Sequence, residues 1–273
     1  MKALLALVRG NNQSTLRAFN VLLFSLLLLS PYWVTFSGAG FALSALLYFL
    51  YGGLGISVCY HRLLTHRAAT VHPWVERLFA TFACAAGTGS PIMWVMTHRQ
   101  HHRFPDKPGD PHPPQSVWKT FFGSYPQVSA QGIRDVARVK YYAWWHRYYF
   151  AILGTWGAVL ALISTDLLFY AFVMPIFAAV LASNLLNWYG HTRSMISYRS
   201  HNTKDTSQNN ALFGLLIFGE GWHNNHHRFP GSCRFGLKWW ELDIGYGALL
   251  ILKSLGLASN LKVPHGNSTS LGT

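Results

Sequence analysis

Charge is scarce in this chain. Only 11% of its 273 residues are Asp, Glu, Lys or Arg, against roughly 25% in an ordinary soluble domain, while 51% are apolar. That balance excludes a fully solvated globule. Because the apolar residues gather in blocks, it indicates a membrane protein with a polar part. Cysteine is scarce as well. Cys59, Cys84 and Cys233 are odd in number, far apart and without a C-x-x-C pair. They exclude a disulfide framework and a cysteine metal site, and they fit a reducing compartment. The net charge of +13 does not imply nucleic acid, because the basic residues flank apolar runs and form no separate basic domain. No small-residue cleavage site follows the run Val21–Leu29, where Ser30-Pro31-Tyr32-Trp33 stands instead. The run therefore reads as membrane helix, not as a signal peptide. No internal repeat is visible, and residues 1–273 read as a single domain.

About 20 mostly apolar residues cross about 30 Å of hydrocarbon. Four stretches qualify, at about 18–36, 39–59, 148–165 and 167–190, giving two helical hairpins with very short turns. Lys2, Arg9 and Arg17 precede the first hairpin, eleven basic residues from Arg62 to Arg147 lie between the two, and eight from Arg193 to Lys262 follow the second. Neither turn holds any. The positive-inside rule then puts both turns outside, with both termini and a cap of residues 60–147 and 191–258 on the cytoplasmic side. Segment 74–97 is apolar but cannot cross under that rule, so it is expected to lie along the membrane face or re-enter it. The tail 259–273 is expected to be disordered. The fold class that follows is an all-α integral membrane protein with a helical cap.

Histidine is what the chain has in excess, with fourteen. His61 and His66 close the second span, His98, His101 and His102 follow the apolar segment, and His223, His226 and His227 follow Glu220. On a helix, positions i, i+3 and i+4 share one side, so each H-x-x-H-H group offers three imidazoles to one point. Asn187 and His191, at the end of the fourth span, are again spaced i and i+4. The topology returns all four groups to the cytoplasmic face, where nine histidines converge. Nine is about twice what one first-row metal accepts, so two metals are implied. Imidazole suits iron, copper, zinc and nickel alike, and two redox-active irons with positions open to oxygen fit this ligand set best. His72, His112, His146, His201 and His265 lie outside these groups and read as ordinary polar residues. A metal transporter or sensor, the rival from another class, needs ionisable ligands inside its spans, and these spans hold none at mid-depth.

The pattern H-x4-H, H-x2-H-H and H-x2-H-H resembles the membrane fatty-acid desaturase superfamily. The stretches Gly55–Arg67, Pro91–His102, Asp110–His112, Asp205–Asn210, Gly219–His227 and Trp239–Asp243 resemble its stearoyl-CoA and acyl-lipid delta-9 branch, and the likeness covers about residues 18–260. The resemblance implies that the nine histidines bind two irons and that Asn187 reaches one of them through water. It also implies a four-helix membrane stem under a cytoplasmic cap, dioxygen as co-substrate and a separate ferredoxin or cytochrome b5-type electron donor. One departure is Phe121–Val128, where animal relatives carry a basic pair for coenzyme A phosphates. The acyl carrier therefore stays open between acyl carrier protein, coenzyme A and a membrane lipid. A terminal desaturase, acetylenase or hydroxylase on a shorter chain would share the same metal site.

Removing hydrogen from an unactivated alkyl chain offers a general base nothing to work on, and neither paired carboxylates nor a nucleophile triad is apparent. Regioselectivity must come from an apolar tunnel that holds a chosen carbon near the metals. Phe49, Gly52 and Gly53, one to three turns before His61, are candidates for its closed end. Glu220, Asp243, Asp110 and Asp205 are candidates to accept the free N–H of ligand imidazoles. Trp144, Trp145, Trp239 and Trp240 are expected to anchor the cap at the interface.

Overall fold

A computed structural model of the chain describes residues 13–112, 128–130 and 132–264. Almost all of its regular structure is helical. Helix α1 (Gln13–Leu29) is Leu-rich and ends in a tight turn at Ser30–Tyr32, where Pro31 cannot continue it. Helix α2 (Gly38–Thr65) starts at Ser37, whose hydroxyl accepts from Gly40 N at 3.1 Å. From Phe49 to Thr65 it widens into π-helical turns. That widening serves the histidine spacing. On an α-helix His61 and His66 would face about 140° apart, whereas a turn with i→i+5 bonding stacks them, and His66 N donates to His61 O at 3.2 Å.

The apolar segment 74–97 breaks into α3 (Pro73–Ala85) and α4 (Pro91–Arg103), separated by Gly87 and Gly89 at positive φ. Each helix has 13 residues, about 20 Å, which is too short to cross the bilayer. Gly55 lets α3 pack directly on α2, since a Cβ there would meet the Ala83 backbone at 2.5 Å. After the short α5 (Arg134–Ala137) come α6 (Lys140–Ile163) and α7 (Thr165–Tyr189). The turns before α2 and before α7 meet: Thr35 N donates to Asp166 Oδ1 at 2.7 Å and Tyr170 Oη to Thr35 O at 3.0 Å. Both helical hairpins therefore turn at the same end of the molecule.

Among the described residues three helices are long and apolar enough to cross a membrane, at Thr15–Tyr32, Gly38–Thr65 and Thr165–Tyr189. The expected fourth span, 148–165, falls in the second half of α6. The first half of α6 carries Lys140, His146 and Arg147 among tyrosines and tryptophans, which lowers its hydropathy.

Among the described residues the remaining elements are α8 (Ala211–Leu216), α9 (His223–Arg228), α10 (Ile244–Ser254) and two small antiparallel ribbons. Strand β1 (Thr70–Val71) pairs with β4 (Ala258–Ser259), and β2 (Ser197–Tyr198) with β3 (Asn209–Asn210). The segment expected to be disordered from 259 is tied down at its start. Ser259 pairs with Thr70, and Lys262 exchanges backbone hydrogen bonds with Ala68 and Cys233. The remainder of that tail, from 265, lies outside the described residues.

Candidate metal centre

Each histidine pattern sits on an element that aims it inward. Ser90 caps α4 through its hydroxyl, which accepts from Met93 N at 3.3 Å, and so sets the register of His98, His101 and His102. Trp222 begins α9, and its indole N–H is held by Leu242 O at 2.8 Å. The nine histidines divide into two groups whose ring nitrogens lie within 4.8 Å of one another: His61, His66, His98, His102 and His226 in one, His101, His191, His223 and His227 in the other. In the first group Nε2 of His61 lies 2.9 Å from Nε2 of both His98 and His226, and Nε2 of His226 lies 2.9 Å from that of His102. In the second, His191 and His223 approach at 3.0 Å and His101 and His227 at 3.3 Å. The two H-x-x-H-H helices each feed both groups.

Burial in low dielectric penalises the charged ring. It drives the pKa of His66, His98, His102, His223, His226 and His227 well below the usual histidine value, and neighbouring imidazoles push further the same way. Neutral imidazoles present lone pairs, the form a metal requires. The Nε2 of His66 is buried with no hydrogen-bond partner. A cation between the rings would use that nitrogen and turn the facing Nε2 pairs into ligands, so the residues present fit a metal in each group.

The outer nitrogens show how the rings are aimed. His61 Nδ1 meets the Glu220 carboxylate in a very short contact. His101 Nδ1 lies 2.9 Å from Asp110 Oδ1, and His227 Nδ1 3.0 Å from Asp205 Oδ2. A carboxylate only accepts, so each Nδ1 carries the proton and each Nε2 lone pair turns inward. Glu220 stays ionised: burial raises its pKa, but its contacts with His61 and the Arg62 guanidinium outweigh this and lower it.

Asp243, expected to do the same, does not touch a ligand ring. Its carboxylate takes Arg62 Nη2 at 2.9 Å, Tyr246 N at 2.9 Å and Phe235 N at 2.6 Å. It caps α10 and pairs with the wholly buried Arg62, because the site side of Arg62 already belongs to Glu220. The residue that sequence reasoning missed is Asp106, whose Oδ1 lies 3.0 Å from His191 Nδ1. Its Oδ2 accepts from the Thr206 amide and hydroxyl at 2.6 and 2.8 Å. Burial raises the Asp106 pKa, yet the nearby His191 ring and the hydrogen bonds from Thr206 bring it down to about 2. Asp106 lies in a loop at φ +58°, and no spacing pattern marks it.

A cavity of about 600 Å³ runs from this centre between α1, α2, α4 and α7. His61, His98 and His223 line its metal end together with Asn187, and Tyr48, Gly52, Ile56 and Ile217 line it farther along α2. Of the three expected tunnel residues only Gly52 lines the cavity. Phe49 instead packs edge-on against Phe218, with ring centroids 5.6 Å apart, and Gly53 lies beneath that pair. The described histidines assigned ordinary roles stay out of both groups. His72 caps α3, His146 Nδ1 meets Ser90 Oγ at 2.5 Å, His201 packs on Phe229, and His112 lines the cavity with burial pushing its pKa down to about 3. His265 and the stretch Phe121–Gln127 lie outside the described residues. Of the interface tryptophans, Trp239 is almost fully exposed, Trp144 and Trp240 are partly so, and Trp145 is buried.

Comparison with known proteins agrees with this geometry. Residues 37–249 match the family model described as fatty acid desaturase. The delta-9 acyl-lipid desaturase 2 of Arabidopsis thaliana is 38% identical over 252 residues, covering 88% of this chain and 80% of that protein. The sn-1 stearoyl-lipid 9-desaturase of Anabaena variabilis is 34% identical over 84% of this chain and 86% of its own length. The sn-2 palmitoyl-lipid 9-desaturase of Nostoc sp. is 33% identical over 93% and 92%. With two histidine groups at the end of an apolar cavity and a family match over most of its length, this chain belongs to the fatty acid desaturase family and is an oxidoreductase acting on fatty acyl chains.

Proposed function

We propose that the chain uses dioxygen at a pair of irons to place a double bond at the ninth carbon of a lipid-linked acyl chain. The observation that carries this is the division of nine histidines into groups of five and four at one end of the cavity. One iron would be held by His61, His66, His98, His102 and His226. The other would be held by His101, His191, His223 and His227, with Asn187 in the cavity wall to hydrogen-bond a water in an open position. Bound there, the irons would draw from dioxygen and two external electrons the oxidising power that an unactivated C–H bond demands.

The protein's own work is positional. Glu220, Asp110, Asp106 and Asp205 fix the rings, the apolar wall excludes water, and the cavity past Gly52 sets how the chain lies against the histidines. Relatives named for lipid-linked substrates support the lipid carrier and the ninth position. They also favour desaturation over hydroxylation or acetylene formation. The proposed topology is four spans in two hairpins, with the second half of α6 as the fourth, and with the cap, the histidines and both termini on the cytoplasmic side beside a ferredoxin or cytochrome b5-type donor.

The test is expression in a host lacking desaturases, followed by mass spectrometry of its lipids. A monoene at the ninth carbon in glycerolipids is expected, absent in His98→Ala. A hydroxylated product, or no product with two irons bound, would overturn the reading.

A further inference from the structure

The stretch from Thr206 to Gly219 carries no Asp, Glu, Lys or Arg, although it lies between two parts of the histidine site. Its helix α8 holds Leu212, Leu215 and Leu216 about half exposed, an apolar face that no element among the described residues covers. The depth of that face is given by α2. Tyr48 Oη donates to Leu216 O at 2.8 Å, and Phe218 packs against Tyr48 and lies beside Gly52 and Gly53. Tyr48 is ten residues beyond the start of α2 at Gly38. At about 1.5 Å per residue that is about 15 Å, half of a hydrocarbon layer of about 30 Å. Leu46, on the same part of α2, is exposed as well, so one apolar surface continues from the span onto α8.

Hydrocarbon imposes a second requirement: no backbone group may be left unpaired. The end of α8 meets it. Gly214 O accepts from Gly219 N at 2.7 Å, Ile217 O from Glu220 N at 3.0 Å and Phe218 O from Gly245 N at 2.9 Å. Leu216 O, which no amide reaches, is taken by the Tyr48 hydroxyl. Phe218 at φ +56° and Gly219 at φ +103° then reverse the chain toward Glu220.

We infer that residues 206–219 re-enter the membrane from the histidine side and that the acyl chains of the bilayer cover the exposed face of α8. The inference rests on reading the chain as a membrane protein. Ile217 lines the cavity while its neighbour Leu216 faces outward, so this wedge is the wall between the substrate cavity and the lipid, one residue thick.

Full-length protein carrying Leu215→Cys, labelled with an environment-sensitive fluorophore, tests this in phosphatidylcholine vesicles, since the native cysteines are buried. Leu46→Cys and Lys204→Cys serve as span and aqueous controls, and Leu212→Cys repeats the test should Leu215→Cys not fold. Lipids brominated deep in their acyl chains are expected to quench labels at 215 and 46 to a similar extent and to leave 204 unaffected. Quenching at 46 alone would overturn the wedge and leave the membrane reading standing. Quenching at neither 46 nor 215 would overturn both.

Discussion

The two histidine groups are built differently. The group of five stands among packed helices, and apolar and aromatic neighbours fix its rings. Trp94 stacks on His98 with centroids 4.8 Å apart, and Phe235 packs on His226 at 4.4 Å and on His61 at 5.1 Å. Only His61 meets a carboxylate, Glu220, and the buried Arg62 neutralises it. The group of four draws on the same two helices, α4 and α9, and the end of α7, but carboxylates from loops aim three of its rings: Asp110, Asp106 and Asp205. Packing can orient a ring where helices supply walls, whereas a loop must do it by hydrogen bond. The smaller group thus has fewer ligands, more local negative charge and less redundancy.

Ligand removal should separate the groups most. His227→Ala leaves three histidines in its group, while His66→Ala leaves four in the other. We expect iron in purified His227→Ala to fall from two per chain to one with product lost, and His66→Ala to keep close to two with reduced turnover. Metal analysis alongside a desaturation assay decides it, and equal iron loss in both would break the comparison.

The carboxylates come next. Glu220→Ala removes one of the two carboxylate partners of a wholly buried arginine, and breaking a buried pair destabilises by up to about 3–5 kcal/mol. It should appear as a large fall in the thermal midpoint in detergent. Asp106 pairs with no buried cation. Asp106→Gly accepts the positive φ without strain, so the fold should hold while iron affinity of the four-histidine group falls roughly 10–100-fold. Asp106→Asn keeps an acceptor for His191 Nδ1 and tolerates φ +58°, so most of that affinity should return. Isothermal titration with ferrous iron reads both variants, and equal weakening in the two would show that charge, not orientation, is what Asp106 supplies.

The same contrast explains what could be read from the sequence. Helical periodicity is a local property, so the histidines on α4 and α9 were identifiable as sets aimed at one point. Their division between two groups was not, because it depends on how α4 and α9 cross. Asp110 and Glu220 are near enough in sequence to a histidine pattern to be suspected as partners. Asp106 reaches His191 only through a fold that brings residues 85 positions apart together. Asp243 looked like a partner because it lies near Glu220 in sequence, but the arginine between them takes it. Phe49 was a candidate only by its distance along the span from His61, and it packs on Phe218 where α2 starts to widen.

Asp243 offers the smallest effect and the finest test. It supports the five-histidine group at one remove, through Arg62 to Glu220 to His61. Asp243→Asn keeps one oxygen, enough for the amides of Phe235 and Gly236 on one side or for that of Tyr246 on the other, and loses the charge facing Arg62 Nη2. Arg62 still has Glu220 and the carbonyls of Cys233 and Ser57, so the loss is held to about 1.5–3 kcal/mol, the usual worth of a bond to a charged group. Because aromatic packing as well as Glu220 fixes the His61 ring, the variant should unfold at a lower temperature and still bind two irons. Loss of one iron at unchanged folding would mean that the five-histidine group depends on its hydrogen-bond chain as much as the other does. The distinction between packed and hydrogen-bonded ligand rings would then fail.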